Sequence, residues 1–312
     1  MLKQAVVVIC FVLFTYLILS TTNVMGQPTT FSYYTKWGSL GEGDGQFDGQ
    51  NDVDFYNGRV CVADYANHRI QIFDPEGNFI TKFGQGGEGD GQFHKASALS
   101  IDSEGNIYVA DQFNFRIQKF TNDGKFITKW GSEGVGDGQF LHPHVPANDA
   151  TGKLFVTDRD LANVQVFDDN GTFILKWGSE GKANGQLSKP ESSIVDSMGN
   201  VYIADYGNNR IQKFTNDGEF IKAWGSKGTA HGQFQGPAGL SIDANDNIYV
   251  TDKNNDRIQV FSNEGQFITM FGTTGAGDGQ LNKPEGIGVD KDTGTVYVAD
   301  TGNTRIQVFK PS

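Results

Sequence analysis

The sequence predicts an all-β fold, a six-bladed β-propeller of four-stranded blades, and two observations support this prediction. First, a unit of roughly 47 residues recurs along the 312-residue chain. Aromatic-Gly pairs mark the spacing, with aromatic residues at Trp37, Phe83, Trp130, Trp177, Trp224 and Phe271, in steps of 46, 47, 47, 47 and 47. Second, each copy contains four short apolar segments separated by Gly, Asn and Asp turns, which is typical of one antiparallel blade.

The four predicted strands of a unit follow a Gly-rich loop that ends in Gly-Gln-Phe or Gly-Gln-Leu. The first strand is apolar and ends in Asp, as in residues 239–243, and the second resembles residues 106–111. The third resembles residues 116–120 and the fourth residues 126–130. These strands are apolar or amphipathic, so we expect each blade to pack between two neighbouring blades.

The two ends of the repeat array predict how the ring closes. After Phe309 the last copy stops before its fourth strand, whereas residues 31–37 have the pattern of that strand. We therefore expect the N-terminal strand to complete the sixth blade. Closure of this kind removes the exposed sheet edges that an open array would present.

The pattern of residues 1–26 predicts an export signal. We expect residues 27–312 to form the propeller domain. Lys3 precedes an apolar run at residues 5–19, and Val24 and Gly26 suit a cleavage before Gln27. A spanning helix needs about 20 apolar residues, so a cleaved signal peptide is favoured over an uncleaved membrane anchor. Both alternatives predict a secreted protein or one on the extracytoplasmic cell surface, with membrane contact only through an uncleaved N-terminal segment.

Charge and cysteine content limit the partners. The 25 Lys and Arg against 37 Asp and Glu give a net charge of −12, which argues against nucleic acid and against an anionic membrane surface. Cleavage would remove Cys10 and leave Cys61 alone, so no internal disulfide is expected in the mature chain. We expect Cys61 to be a small buried apolar residue and the protein to be a monomer.

The repeat resembles a known family. Residues 284–290 read Pro-x-Gly-Ile-x-Val-Asp, and residues 296–309 continue with Val-Tyr-Val-Ala-Asp-x-x-Asn-x-Arg-Ile-Gln-Val-Phe, a pattern that is similar to the NHL repeat. The resemblance extends from Phe31 to Phe309 in six copies. It implies the same six-bladed propeller that the spacing predicts.

An Asp, an Asn and an Arg recur together in five of the six copies, which indicates a scaffold role. The Asp residues that end the second strand are Asp64, Asp111, Asp158, Asp205, Asp252 and Asp300. We expect a turn in which the Asn adopts a left-handed conformation and the Arg pairs with a carboxylate across the hairpin. The third copy instead has Leu161 and Asn163 at the Asn and Arg positions.

The Gly-rich loops carry a recurring acid at Asp44, Asp90, Asp137 and Asp278. Two interpretations are open for these loops, namely calcium binding and blade-to-blade crossovers. Because Asn184 and His231 replace the acid in two copies, the crossover is favoured.

The third copy departs most from the repeat, and its first strand contains Pro146 and Asn148. A Pro removes a hydrogen-bond donor from a sheet ladder. The step Pro143-His144, followed later by Asp158-Arg159, resembles the peptidyl-hydroxyglycine lyases, which are zinc-dependent propellers. That resemblance implies zinc held by three His residues at matching positions of alternate blades, together with a catalytic Tyr.

The positions that match those ligands are Asn51, Ser97, His144, Glu191, Ala238 and Glu285. Asn51 and Ala238 occupy two of the three places where the resemblance requires His, so the zinc triad is absent. The catalytic Tyr would lie near Phe113, which has no hydroxyl group. The lyase activity therefore does not transfer to this chain.

The candidate site is the mouth of the central channel. The predicted binding ring is Asn51, Ser97, His144, Glu191 and Glu285. Within it His144, Glu191 and Glu285 are the candidate ligands for zinc or calcium, and His144 with Arg159 is the candidate catalytic pair. The sequence favours a binding scaffold for a protein, peptide or glycan over an enzyme. The alternative is a metal-dependent lyase or hydrolase centred on the third blade.

Overall fold

Residues 30–312 are described by the computed structural model, and they form six four-stranded antiparallel sheets arranged as the blades of a ring. The six-bladed all-β propeller predicted from the repeat is confirmed. The export signal predicted for residues 1–26 lies outside the described residues. Within 30–312 no helix is long and apolar enough to cross a membrane.

Blades one to five each consist of four consecutive strands. Blade one contains β2 (Gln50–Tyr56), β3 (Arg59–Asp64), β4 (Arg69–Phe73) and β5 (Phe79–Phe83), and blade two contains β6 (Ala96–Ile101), β7 (Ile107–Asp111), β8 (Arg116–Phe120) and β9 (Phe126–Trp130). Blade three contains β10 (Pro143–Asn148), β11 (Leu154–Asp158), β12 (Asn163–Phe167) and β13 (Phe173–Trp177), and blade four contains β14 (Pro190–Val195), β15 (Val201–Asp205), β16 (Arg210–Phe214) and β17 (Phe220–Trp224). Blade five contains β18 (Pro237–Ile242), β19 (Ile248–Asp252), β20 (Arg257–Phe261) and β21 (Phe267–Phe271).

Blade six joins the two ends of the described chain. Its strands are β24 (Ile287–Val289), β25 (Val296–Asp300), β26 (Arg305–Pro311) and the N-terminal β1 (Phe31–Trp37), in the order β1-β26-β25-β24. In the β1–β26 pair Phe31 lies opposite Pro311 and Trp37 opposite Ile306. The ring is therefore closed by the N-terminal strand, as predicted.

Short elements complete the fold. The two-residue strands β22 (Thr273–Thr274) and β23 (Gln280–Leu281) pair in parallel in the loop before blade six. Single 3-10 turns follow the second strand of blades two, four, five and six, at Gln112–Asn114, Tyr206–Asn208, Lys253–Asn255 and Thr301–Asn303.

The ring has two faces, an upper and a lower one. The upper face carries the Gly-rich crossovers between blades, such as residues 38–49, and the turns between the second and third strands, such as residues 65–68. The lower face carries the turns that join the first strand to the second and the third to the fourth. The Gly-rich loops are thus crossovers. Each of their acids forms an ion pair with a lysine ammonium at 2.6 to 2.8 Å, at Asp44, Asp90, Asp137 and Asp278.

The core lies between adjacent blades. One cluster joins Cys61 and Ile70 of blade one to Leu99 and Val109 of blade two. Cys61 is 2% exposed, so the expectation of a buried apolar residue is confirmed. Aromatic side chains of the outer strands cover the contact between blades. Trp37, for example, packs over Gly77 of the next blade. Gly77 has a φ of +91°, and a Cβ added to it would lie 2.5 Å from the Trp37 ring. Only Gly fits under such a close approach.

The recurring Asp and Arg form a buried ion pair, as predicted. In blade five Arg257 Nε donates to Asp252 Oδ2 at 2.8 Å, and the guanidinium also donates to three crossover carbonyls. The expectation for the Asn was wrong, because the left-handed residue is the next one, Asp256, with a φ of +52°. Asn255 lies in the preceding 3-10 turn, from which its amide donates to Asp252 and to the Gly228 carbonyl.

Blade three accommodates Pro146 because β10 lies at the inner edge of its sheet. Pro146 is paired with Val156 of β11 on one side and has no strand of its own blade on the other. An edge strand tolerates the missing N–H donor.

Candidate functional site

The predicted ring lies where the inner strands converge on the channel, close to the upper face. Asn51, His144, Glu191, Ala238 and Glu285 line one narrow cavity of about 10 Å³, which has room for about one water molecule. Ser97 is fully buried and its hydroxyl donates to the Ala110 carbonyl, so it does not line this cavity. The spacing of the repeat thus brought five matching positions together.

His144 contacts the neighbouring blade through both ring nitrogens. Its Nδ1 lies 2.9 Å from the backbone carbonyl of Glu191, and its Nε2 lies 3.2 Å from the Glu191 carboxylate oxygen Oε2. A carbonyl oxygen only accepts, so Nδ1 carries the proton and Nε2 keeps its lone pair. Burial lowers the pKa of His144 to about 3, and His142 and Arg159 act in the same direction.

Glu191 is the acid that faces this lone pair. The residue is only 6% exposed, and its burial raises the pKa of the carboxyl above the ordinary value, although the Arg159 guanidinium 3.3 Å away opposes the shift. A neutral Nε2 and an ionised carboxylate are both acceptors, so the 3.2 Å contact can be a hydrogen bond only when Glu191 is protonated. Burial lowers the pKa of His144 and raises that of Glu191, and both shifts favour this state.

Further carboxylates surround the same channel. Glu285 forms an ion pair with Lys253 of blade five, and burial raises the pKa of its carboxyl. Asp52 accepts hydrogen bonds from the backbone of Val53 and Leu99, and burial raises its pKa well above the ordinary value. The channel interior is thus lined by Asp52, Glu191 and Glu285, and burial raises the pKa of each of these three acids.

The predicted metal ligands do not form a coordination site. Within residues 30–312 no group of three His, Cys, Asp or Glu side chains is arranged to hold a metal ion. Glu285 is engaged by Lys253, and Glu191 by Arg159 and His144. The donor set therefore does not fit a three-ligand zinc centre, and no chemical step is assigned to a metal here.

One ring of residues around the upper mouth was recognised from the sequence only at Arg159. It consists of the residues that directly follow the Asp at the end of each second strand, namely Tyr65, Gln112, Arg159, Tyr206, Lys253 and Thr301. A signal was available, because the residue at this position varies between blades whereas the Asp directly before it recurs in every copy. Variable residues on a rigid repeat scaffold are where recognition is usually found.

The upper-mouth ring is continued by an aromatic and cationic patch over blades one and two. Lys95 Nζ lies 4.6 Å from the centre of the Tyr65 ring and 5.7 Å from that of Phe113. Phe113 is 42% exposed and also contacts the His94 ring at 5.3 Å. The Tyr65 hydroxyl donates to Gln112, which in turn contacts His142.

The same chemistry recurs across the mouth. The Arg159 guanidinium lies 5.8 Å from the centre of the Tyr206 ring, and the Tyr206 hydroxyl accepts from the Asn254 amide at 3.4 Å. His94 and Phe113 are exposed, and Arg159, Tyr206 and Lys253 are partly exposed. The upper mouth therefore presents cations beside aromatic rings, above a buried acidic channel.

Two family models match the chain at these repeats. The NHL repeat model matches residues 193–214, 234–261 and 281–309, and a model described as a 6-bladed beta-propeller matches residues 45–120. The chain is an NHL-repeat six-bladed β-propeller. The resemblance to the NHL repeat is thereby confirmed, and the residues that the repeat model matches lie in blades four to six.

Solved structures share the fold of this NHL-repeat propeller. An auxiliary nutrient binding protein from Bacteroides ovatus has a TM-score of 0.67 at 15% identity, with 90% of this chain and 77% of the other covered. Virginiamycin B lyase from Staphylococcus aureus has a TM-score of 0.61 at 15% identity, covering 90% and 99%. A protein of unknown function from Bacteroides thetaiotaomicron has a TM-score of 0.71 at 19% identity, covering 90% and 76%.

At these identities the likeness establishes the fold of the NHL-repeat propeller and nothing about its ligand. No curated protein matches the sequence. Its function is therefore argued from the residues of the two faces.

Proposed function

We propose that this propeller is an exported, non-enzymatic binding scaffold that takes a protein, peptide or glycan ligand at its upper mouth. The ligand class that the geometry supports best is a peptide segment with a carboxylate beside an apolar side chain. The proposed export rests on the signal-like pattern of residues 1–26.

The contact between Lys95 and the exposed ring of Phe113 carries this proposal. An exposed aromatic ring and a cation 5.7 Å from its centre offer an apolar surface and a charge to the same ligand. Aromatic residues and Arg are enriched at binding hot spots, and Arg159 over Tyr206 repeats the pairing on another part of the mouth. An enzyme site would need room for a substrate beside its reacting groups, whereas the cavity at His144 measures about 10 Å³.

The rigid ring supports the same conclusion. Loops with varied side chains on a closed scaffold suit recognition without rearrangement. A solved neighbour with this fold is named as an auxiliary nutrient binding protein, which is consistent with a binding role for the architecture.

The test is a printed array of synthetic peptides and glycans probed with the protein and with the double variant Lys95→Ala, Phe113→Ala. We expect the wild type to retain acidic peptides that contain an aromatic or aliphatic residue. Loss of the patch should weaken retention at least about tenfold, because a hot-spot residue contributes about 2 kcal/mol or more.

Two matched variants control this test. Lys189→Ala removes the lysine that occupies the position of Lys95 in blade four, and Ile127→Ala removes a side chain that is 44% exposed on the outer strand β9. Both should bind as the wild type does. Retention of the same peptides by the double variant, or no retention by the wild type, would overturn the upper-mouth proposal.

The metal-dependent lyase or hydrolase near blade three that the sequence left as an alternative is the second candidate. The described residues form no three-ligand metal site, and the observation that favours an enzyme is the buried contact between His144 and Glu191. Such a pair can act as acid and base. Metal analysis of the purified protein and of His144→Ala separates the two candidates. A stoichiometric metal that the variant loses would support the enzyme, and a metal-free wild type that binds the peptides would support the scaffold.

A further inference from the structure

One Asn-x-Thr tripeptide occurs in the chain, at Asn170-Gly171-Thr172. No other Asn of the 312 residues has Ser or Thr two positions later. Asn-x-Ser/Thr, with x other than Pro, is the pattern that N-glycosylation requires in chains that leave the cytoplasm. The tripeptide therefore points to a modification site, and its surroundings decide whether a glycan fits there.

The tripeptide lies in the turn that joins β12 to β13, on the lower face of blade three. Asp168 holds this turn, because its Oδ1 accepts from the backbone N–H groups of Asn170 and Thr172 at 3.0 and 2.7 Å. The Asn170 amide donates to the Asp169 carboxylate at 2.8 Å, and both of these side chains are exposed, as is Thr172. Attachment of a sugar to Nδ2 therefore disturbs no buried contact.

The middle residue of the tripeptide is fixed by packing. Gly171 has a φ of +85°, and a Cβ added to it would overlap the Trp130 ring of the neighbouring blade. Gly77 has the same relationship to Trp37. What distinguishes the turn of blade three is therefore the pair of residues on either side of Gly171.

Those two flanking residues depart from the repeat together. The position of Asn170 holds an acid in the four other blades that have this turn, at Glu76, Asp123, Asp217 and Glu264. None of the residues at the position of Thr172 in those blades carries a hydroxyl group, and they are Asn78, Lys125, Glu219 and Gln266. The turn of blade three is thus the one that combines the amide with the hydroxyl.

The acid at this position contributes to an ion pair elsewhere in the ring. Glu264 of blade five lies 3.8 Å from Lys213 Nζ of blade four. The counterpart of Lys213 in blade two is Lys119, to which the neutral Asn170 offers no carboxylate. Lys119 donates instead to the backbone carbonyl of Asp169 at 3.2 Å. At Asn170 the acid of the other turns is therefore replaced by an exposed amide.

We propose that Asn170 is N-glycosylated, an inference that rests on the export proposed above. The co-reactant is an oligosaccharide linked through its C1 atom to a lipid phosphate, and a transferase outside the cytoplasm presents it. Asn170 Nδ2 forms a bond to C1 while the bond from C1 to the phosphate oxygen breaks. The lipid phosphate leaves, the amide loses one proton to a base, and no atom changes its oxidation state. The Thr172 hydroxyl completes the pattern that the transferase recognises.

A glycan at Asn170 stands on the lower face, opposite the upper mouth. It lies beside the cleft between blades two and three, which Asp168 and Asp169 help to line. A glycan is bulky and hydrated, so it covers this side of the ring. The upper mouth stays open to its proposed ligand.

The test is mass spectrometry of the protein isolated from the cells that produce it. Trypsin releases residues 160–176, which contain Asn163 and Asn170. We expect this peptide to carry the mass of an oligosaccharide, with fragment ions that place the sugar on Asn170. Asn163 is followed by Val-Gln and should be unmodified, which gives a control within the same peptide.

Three variants produced in the same cells, with residues 1–26 intact, test the pattern. Asn170→Asp introduces the residue of blade two, Asp123, and Thr172→Gln introduces that of blade five, Gln266. Both should lose the glycan completely and still fold, because the new residues come from equivalent turns. Thr172→Ser is the matched control, since it keeps the hydroxyl group and should keep the glycan.

The outcomes separate this proposal from the proposed export. Protein found outside the cytoplasm with an unmodified Asn170 would overturn the glycosylation and leave the export intact. Protein confined to the cytoplasm would overturn both. A glycan that persists on Asn170 in Thr172→Gln would also contradict the proposal, because attachment would then not depend on the tripeptide.

Discussion

The two ring nitrogens of His144 contact the same neighbouring residue, with Nδ1 2.9 Å from the Glu191 backbone carbonyl and Nε2 3.2 Å from its side-chain Oε2. The carbonyl contact fixes the tautomer, and the contact with Oε2 becomes a hydrogen bond when Glu191 is protonated. Because the residue at this position differs between blades, this His–Glu contact joins blades three and four. Its consequences for stability can be measured.

The first prediction concerns pH and His144. Burial holds its folded pKa near 3, below the value of about 6.5 in an unfolded chain. The unfolded state therefore binds more protons as the pH falls below about 6.5, and the stability that His144 contributes is present above that value and lost toward pH 3. The variant His144→Ala introduces the residue found at the matching position of blade five, Ala238. Chemical denaturation gives the free energy of unfolding of both proteins. From pH 7 to pH 4 the wild type should lose about 1–3 kcal/mol of this free energy relative to the variant.

Glu191 titrates with the opposite sign, which provides a control. Its folded pKa is raised, so its neutral form stabilises the fold below the unfolded value and that contribution is lost as the pH rises through the folded pKa. Glu191→Gln keeps a donor for His144 Nε2 and removes this titration. A pH profile of the His144→Ala difference that is flat from pH 7 to pH 4 would contradict the buried neutral imidazole.

The second prediction concerns ring closure by β1. Phe31 stacks on Phe271 at 4.6 Å, and Trp37 packs against blade one. Trp37→Ala should lower the free energy of unfolding by about 2–4 kcal/mol, somewhat less than for a fully buried aromatic side chain, because the ring is partly buried. Tyr34→Ala, on the same strand with its side chain 49% exposed, should cost less than about 1 kcal/mol. Equal effects in urea unfolding would argue against closure by this strand.

The third prediction concerns the missing ion pair of blade three. Asp158 is fully buried and accepts only backbone N–H groups, whereas the Oδ1 of Asn163 has no partner in the described structure. Asn163→Arg should therefore complete the pattern of the other five blades and stabilise the protein by about 1–2 kcal/mol. Thermal unfolding measures the gain.

A matched variant removes the Arg from a blade that has the ion pair. Arg257→Met in blade five leaves Asp252 buried without its cation, and should destabilise by about 3–5 kcal/mol. If Asn163→Arg lowers the melting temperature instead, the crossover of blade three does not offer the carbonyl acceptors that the Arg of the other blades uses.

The fourth prediction concerns Cys61. The thiol is 2% exposed, and burial raises its pKa above the ordinary value. A thiol-reactive reporter should therefore leave Cys61 of the native protein unlabelled and react with it in denaturant. Rapid labelling of the native protein would show that the contact between blades one and two opens.

The fold could be predicted from the sequence because a repeat of roughly 47 residues imposes the same local pattern six times. The pairing of β1 with β26 followed from the ends of the array, since the missing strand had to be supplied by the other end. The left-handed residue was misplaced by one position, at Asp256 rather than Asn255. Side-chain hydrogen bonds to Asp252 hold Asn255 in the preceding turn, and such bonds leave no trace in the spacing.

The sequence by itself determined the blade count, the closure of the ring and the convergence of His144 with Glu191 and Glu285 on the channel, because equal steps along a cyclic repeat map onto equal positions around its axis. Only the tertiary structure decided how those groups are used. It showed that Glu285 forms an ion pair with Lys253 and that burial lowers the pKa of the His144 imidazole. These outcomes depend on distances of a few ångströms between side chains on different blades, which the spacing of a repeat does not specify.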